Sequence, residues 1–168
     1  MSKPAFFLAV LLFSAALIAS VSAHGPTVPP TEPPTVGSGD FRTIGFWKHQ
    51  FAVATSNNNG KAQISASDLQ GLLDELDANW TTFSGTTLGE GYDLLWLKKA
   101  SMEERARQQC FATLLNWANG AVAFGELVDT DYDGFPDTTF SDAMADALTG
   151  SDYENNKNIC DSINNMNP

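Results

Sequence analysis

Apolar residues recur along this chain at helical spacing, in short stripes separated by polar turns. Trp47 and Phe51 stand four apart and belong on one buried face of a helix that runs from about Thr43 to Thr55. The polar turn Ser56–Gly60 interrupts it. Leu69, Leu72, Leu73 and Leu76 make the face of a second helix, and Ser65 and Asp68 have the spacing of a capping box at its start. A loop through Thr86 carries Trp80 and Phe83 as core plugs. Thr87 with Glu90 opens a third helix, whose stripe of Leu88, Tyr92, Leu95 and Trp96 predicts helix as far as Lys99. Ser101 with Glu104 opens a fourth, with Met102, Ala106, Cys110, Leu114 and Trp117 facing inward and Gly120 as its stop. Ala121 to Val128 reads as a short helix or a turn. Thr139 or Ser141 caps a helix from Asp142 to about Leu148, and Ser151 with Glu154 opens the last, which carries Ile159, Cys160 and Ile163. No stretch sustains the alternation of a strand. The expectation is an all-α domain of five to six helices, with at most short strand-like pieces beside the loops.

The ends of the chain change this picture. Met1–Ala23 has the form of a secretory signal peptide: Lys3, an apolar run from Ala5 to Ala19, then Val21-Ser22-Ala23 as an A-x-A-like cleavage site. The apolar run is short for a membrane span, and small residues and prolines follow it instead of a basic cluster. Residues 24–40 are rich in Pro, Thr and Gly and read as an extended leader. The helical domain is then residues 41–168. Removal of Lys3 moves the formal charge from −11 to −12. That charge opposes nucleic acid and anionic membrane as partners and suits cations. The expected location is outside the cell. There Cys110 and Cys160 most simply form a disulfide, worth ~4 kcal/mol in a chain-entropy treatment, with two free thiols as the other option.

The candidate chemistry lies between those cysteines. Asp129, Asp131 and Asp133 stand at every second position and Gly134 follows. From Arg107 to Lys157 there is no other Lys or Arg, yet nine carboxylates fall there, Asp137 and Asp142 among them. Close carboxylates repel one another without a cation, and hard oxygen ligands suit Ca²⁺. The D-x-D-x-D-G stretch resembles the calcium loops of EF-hands, dockerins and thrombospondin type 3 repeats. The resemblance implies Ca²⁺ held by Asp129, Asp131, Asp133, the backbone carbonyl of Phe135, and Asp137 directly or through water. Where those families place a closing carboxylate this chain has Phe140. Asp142 comes two residues later, and a two-residue expansion would let it close the site. Only one strong copy is present, against the pair of a dockerin or the array of thrombospondin repeats.

Aligning Gly60 with Gly134 matches Asn57 and Asn59 to Asp131 and Asp133, and Ser67-Asp68 to Ser141-Asp142, without gaps. A degenerate pair of helix–loop–helix units is one reading of this match, and its first loop lacks carboxylates. The segment Thr43–Phe51 resembles the T-x-G-[FY]-W-K-x-H type of prokaryotic surface protein over about eight residues. His49 stands one place before that family's His, and the resemblance carries no activity.

No nucleophile elbow, zinc-binding His pair or phosphate loop is present. Glu103 and Glu104 suit a helix start, and Asp74, Glu75 and Asp77 a solvated face. Asn79-Trp80-Thr81 is a glycosylation sequon. The expected function is a secreted calcium-binding module of structure or adhesion without catalytic activity. The alternatives are a small extracellular hydrolase, or a carbohydrate- or protein-binding module at the cell surface. The expected partners are calcium and a surface protein or polysaccharide.

Overall fold

A computed structural model describes residues 39–166. The expected signal peptide and all but the last two residues of the expected leader lie outside the described residues. The described chain is mostly helical, as expected. Its order is α1 (Ile44–Ala54), α2 (Ala66–Asn79), a 3-10 turn (Thr81–Phe83), α3 (Leu88–Leu95), α4 (Met102–Ala118), β1 (Leu127–Val128), β2 (Thr138–Thr139), α5 (Phe140–Thr149) and α6 (Tyr153–Asn164).

Local chemistry sets most of the boundaries. Thr43, Ser65, Thr87, Ser101 and Thr139 each accept a backbone N–H three residues on, the bond an N-cap supplies to an otherwise unpaired donor. Thr87–Glu90 and Ser101–Glu104 are complete capping boxes. α4 stops where Gly120 takes φ +78°, so that the N–H groups of Gly120 and Ala121 reach back to the carbonyls of Trp117 and Asn116.

α4 is the axis of the fold. From Cys110 to Ala118 it is buried all round, and its closest companion is α6. Cys110 and Cys160 join the two helices with their Cα atoms 4.9 Å apart, so the expected disulfide is formed. Beside it the Thr113 hydroxyl donates to the Cys160 carbonyl at 3.0 Å. The four leucines of α2 are all inside, each burial contributing roughly 2 kcal/mol. Trp80 and Phe83 do plug the core: Trp80 meets Trp117 edge-on at 5.9 Å, and Phe83 packs 5.2 Å from Phe111.

Four expectations need correction. α3 ends at Leu95, four residues before Lys99, because the Gln108 side chain donates to the Leu95 carbonyl and Trp96 turns outward. Met102 is exposed, since the first turn of α4 projects beyond the core. α5 starts at Phe140, two residues before Asp142, and of the two expected caps Thr139 takes the place. α6 is opened by Asp152, which accepts the Asn155 N–H, and not by Ser151.

Candidate metal centre

The segment after α4 takes the turn alternative, with the Glu126 N–H donating to the Ala123 carbonyl at 3.1 Å. It ends in β1, which pairs antiparallel with β2, Leu127 opposite Thr139 and Val128 opposite Thr138. This short ladder closes the acidic loop Asp129–Asp137 on itself. Val128 within the ladder and Phe140 just after it are both fully buried. Apolar anchors thus fix both ends while the carboxylates between them stay at the surface. Phe140 occupies the closing-ligand position because it is the first residue of α5 and part of the core.

Within the loop the aspartates fold the backbone around themselves. Asp129 Oδ1 accepts the N–H groups of Asp131 (3.1 Å) and Tyr132 (2.8 Å), and its Oδ2 accepts the Gly134 N–H (2.8 Å). Asp131 Oδ1 accepts from Asp133, and Asp133 Oδ1 from Phe135. The turn requires left-handed backbone at Gly134 (φ +84°), which costs glycine little, and at Tyr132 (φ +65°), which costs a side-chain-bearing residue more. Asp129, Asp131 and Asp133 each bring one carboxylate oxygen to within 4.8 Å of the others. Burial raises the Asp129 pKa, but the N–H groups of Gly134, Asp131 and Tyr132 together lower it more, leaving it below the usual value.

Asp137 and Asp142 are not among the carboxylates that meet there. The Asp137 carboxylate accepts from the Thr138 hydroxyl at 3.0 Å. Phe135 is 74% exposed. The structure does not bring Asp142 into the cluster. Its Oδ2 accepts the Thr139 hydroxyl at 2.6 Å and its N–H donates back to the same oxygen, so it serves the cap of α5.

One connection was invisible in the sequence. The Tyr132 hydroxyl donates to Asp161 Oδ2 at 2.8 Å, latching the loop tip to α6. Burial and the Asp161 carboxylate push the Tyr132 pKa up to about 12. Nothing in the spacing of residues 132 and 161 announces this pairing, which depends on how α6 lies beside the loop.

The proposed duplication survives at one end only. Ser65, Ser67 and Asp68 repeat the hydrogen-bonded arrangement of Thr139, Ser141 and Asp142. The loops before them differ. Gly60 donates to Asn58, and Thr55, opposite Asp129 in the alignment, returns its hydroxyl to the Phe51 carbonyl. The first loop follows helix α1, whereas the acidic loop follows strand β1.

A cavity of about 470 Å³ lies elsewhere, among Phe83, Glu90, Asp93, Glu104 and Arg107. Glu90 and Glu104 are held by their caps, and the bonds from Thr87 and Ser101 lower their pKa values. A glycosidase needs one of its two carboxyls raised, so this pair is poorly suited to act as general acid. Asn79 has its side-chain nitrogen donating to the Glu75 carbonyl at 2.9 Å, which occupies the atom a glycan would join. Comparison with protein-family models, curated proteins and solved structures finds no match for this chain.

Proposed function

We propose that this chain is an extracellular helical module stabilised by Ca²⁺, acting through structure or adhesion and not through catalysis. The observation that carries the reading is the convergence of Asp129, Asp131 and Asp133 within 4.8 Å on a closed loop. Three carboxylates so close repel one another, and a divalent cation converts that repulsion into attraction. Ca²⁺ is favoured over Mg²⁺ because it takes more oxygen ligands in looser geometry, and carbonyl or water oxygens can complete the shell. The Phe135 carbonyl and Asp137 are the further ligands proposed here. The buried anchors Val128 and Phe140, the Tyr132–Asp161 latch and the disulfide support a role in rigidity, because they tie the loop to the central helices. The disulfide also suits an oxidising compartment. Among the described residues no helix is long and apolar enough to cross a membrane. The exposed Phe135 and Tyr132 supply contact area for a surface protein or polysaccharide.

Calorimetric titration tests the ligand set. Wild type should bind one Ca²⁺, and Asp131→Asn with Asp133→Asn should weaken binding about tenfold or more, given the worth of charge-assisted ligands. Unchanged affinity in that double variant would remove the site. Asp142→Ala settles its role. Unchanged affinity leaves it as the cap of α5, and a comparable loss makes it the closing ligand.

A further inference from the structure

A second cluster, of opposite charge, lies on another side of the fold. Lys48 from α1, Lys98 from the α3–α4 connection, Arg105 from α4 and Lys157 from α6 all line one cavity of about 180 Å³. Four of the nine Lys and Arg residues of a chain with net charge −11 thus meet in one place. No carboxylate side chain lines the cavity. Among the described residues Lys48, Lys98 and Arg105 make no ion pair, and Lys157 makes only a long one, 3.9 Å to Asp161. Unpaired like charges in one concavity are unfavourable unless an anion joins them. Here twenty acidic residues are available in the chain and none supplies that anion from the cavity wall.

The scaffold is rigid. Gln109 also lines the cavity, and its Oε1 accepts from Asn164, which leaves its amide N–H groups for a ligand. Cys110 follows it directly and Cys160 lies one helical turn beyond Lys157, so the disulfide fixes α4 against α6 behind the cations. The volume falls below the ~300 Å³ at which sites for drug-sized ligands begin. We infer that this cavity is a binding site for a small tetrahedral oxyanion, sulfate or phosphate, either free or as an ester on a saccharide. Arg105 can present a planar fork to two of its oxygens while the ammonium groups act as point charges.

Sodium sulfate alone stabilises many proteins by exclusion from their surface, so a melting shift would not discriminate. The test is an amide NMR titration at constant ionic strength, with sodium chloride as the balancing salt. Sulfate and a sulfated disaccharide are compared with the unsulfated sugar, each with EDTA and with Ca²⁺. Saturable shifts confined to Lys48, Lys98, Arg105, Gln109 and Lys157 are expected. They should weaken about tenfold or more in Lys48→Gln with Arg105→Gln, both partly or fully exposed positions. Shifts with free sulfate identify the ion, and shifts with the sulfated sugar only identify an ester. An adventitious response would persist in the double variant. That result, or no saturable shift at all, overturns the inference. Because the EDTA arm needs no calcium, failure of the metal reading leaves this outcome unaffected.

Discussion

Asn116 should be among the costliest side chains to remove. It is fully buried in α4. Its Oδ1 accepts the Arg42 N–H at 2.9 Å and the Trp47 indole N–H at 3.0 Å. Its Nδ2 donates to the Arg42 carbonyl at 3.0 Å and to Asn164 Oδ1 at 2.9 Å. One amide thus binds the segment before α1, α1 itself and α6 to the central helix. Asn116→Ala strands all four partners. Trp47 Nε1 and Asn164 Oδ1 are in the core, and each unpaired buried group costs ~1–3 kcal/mol. The two Arg42 backbone groups are half-buried and recover part of their bonding from water. The loss should be about 3–5 kcal/mol, a large share of the ~5–15 kcal/mol that holds an ordinary domain. Asn116→Asp keeps the volume and both acceptor roles of Oδ1. It places a second acceptor, and a charge, against two carbonyl oxygens and should cost at least as much. Urea unfolding followed by tryptophan fluorescence, with Ca²⁺ held constant, measures both variants. A loss under about 1 kcal/mol for Asn116→Ala would mean that the network does not hold the helices together.

Ser56 holds φ +61° at the end of α1, where its N–H and that of Asn57 close the last turn on Val53 and Ala52. Ser56→Gly should relieve that strain and stabilise the protein by about 0.5–1 kcal/mol, read as a higher urea midpoint. Replacing Cys110 and Cys160 together by Ser should cost about 4 kcal/mol, measured in the same assay. Tyr132 should ionise at about pH 12 in a spectrophotometric titration, well above the usual tyrosine value. A raised pKa favours the protonated form in the fold. The stability it contributes is therefore complete below pH 10 and lost as the pH rises toward 12, and Tyr132→Phe should remove that dependence. At the acid end Asp77, Glu90, Glu104 and Asp129 all have lowered values. Their contribution is present above the ordinary carboxylate range and is lost as the pH falls through the folded values, so acid melts should show falling stability below about pH 4.

The helices were legible where their determinants are local. A Ser or Thr three residues before Asp or Glu found the starts at Ser65, Thr87 and Ser101, and leucine spacing found the buried face of α2. The rule misplaced the start of α6, where Ser151–Glu154 and Asp152–Asn155 offer the same spacing and only the tertiary path chooses Asp152. Asn116 and Asn164 lie outside the apolar stripes of their helices, and their burial follows from partners dozens of residues away. The β1–β2 ladder fits the allowance for short strand-like pieces beside the loops, but two-residue strands show no alternation, so their positions and pairing could not be read. The acidic triad could be read directly, since its members are neighbours in the chain. Asp142 is ambiguous in the sequence because its i, i+3 relation to Thr139 serves a helix cap as well as it would serve a metal. The basic cavity gathers residues 48, 98, 105 and 157 from four separate segments and leaves no trace in the linear charge pattern.

The central claim is that a cation completes the Asp129–Asp133 loop and thereby steadies the fold. Thermal melting in EDTA and in millimolar Ca²⁺, with Mg²⁺ as comparison, tests it most directly. At ten to a hundred times its dissociation constant the ion adds about 1.4–2.7 kcal/mol, which for a domain of this size is a rise of about 5–10 °C in Tm. Mg²⁺ should give a smaller rise, and Asp131→Asn with Asp133→Asn should lose most of the calcium effect. Equal melting temperatures in EDTA and Ca²⁺ would contradict the account.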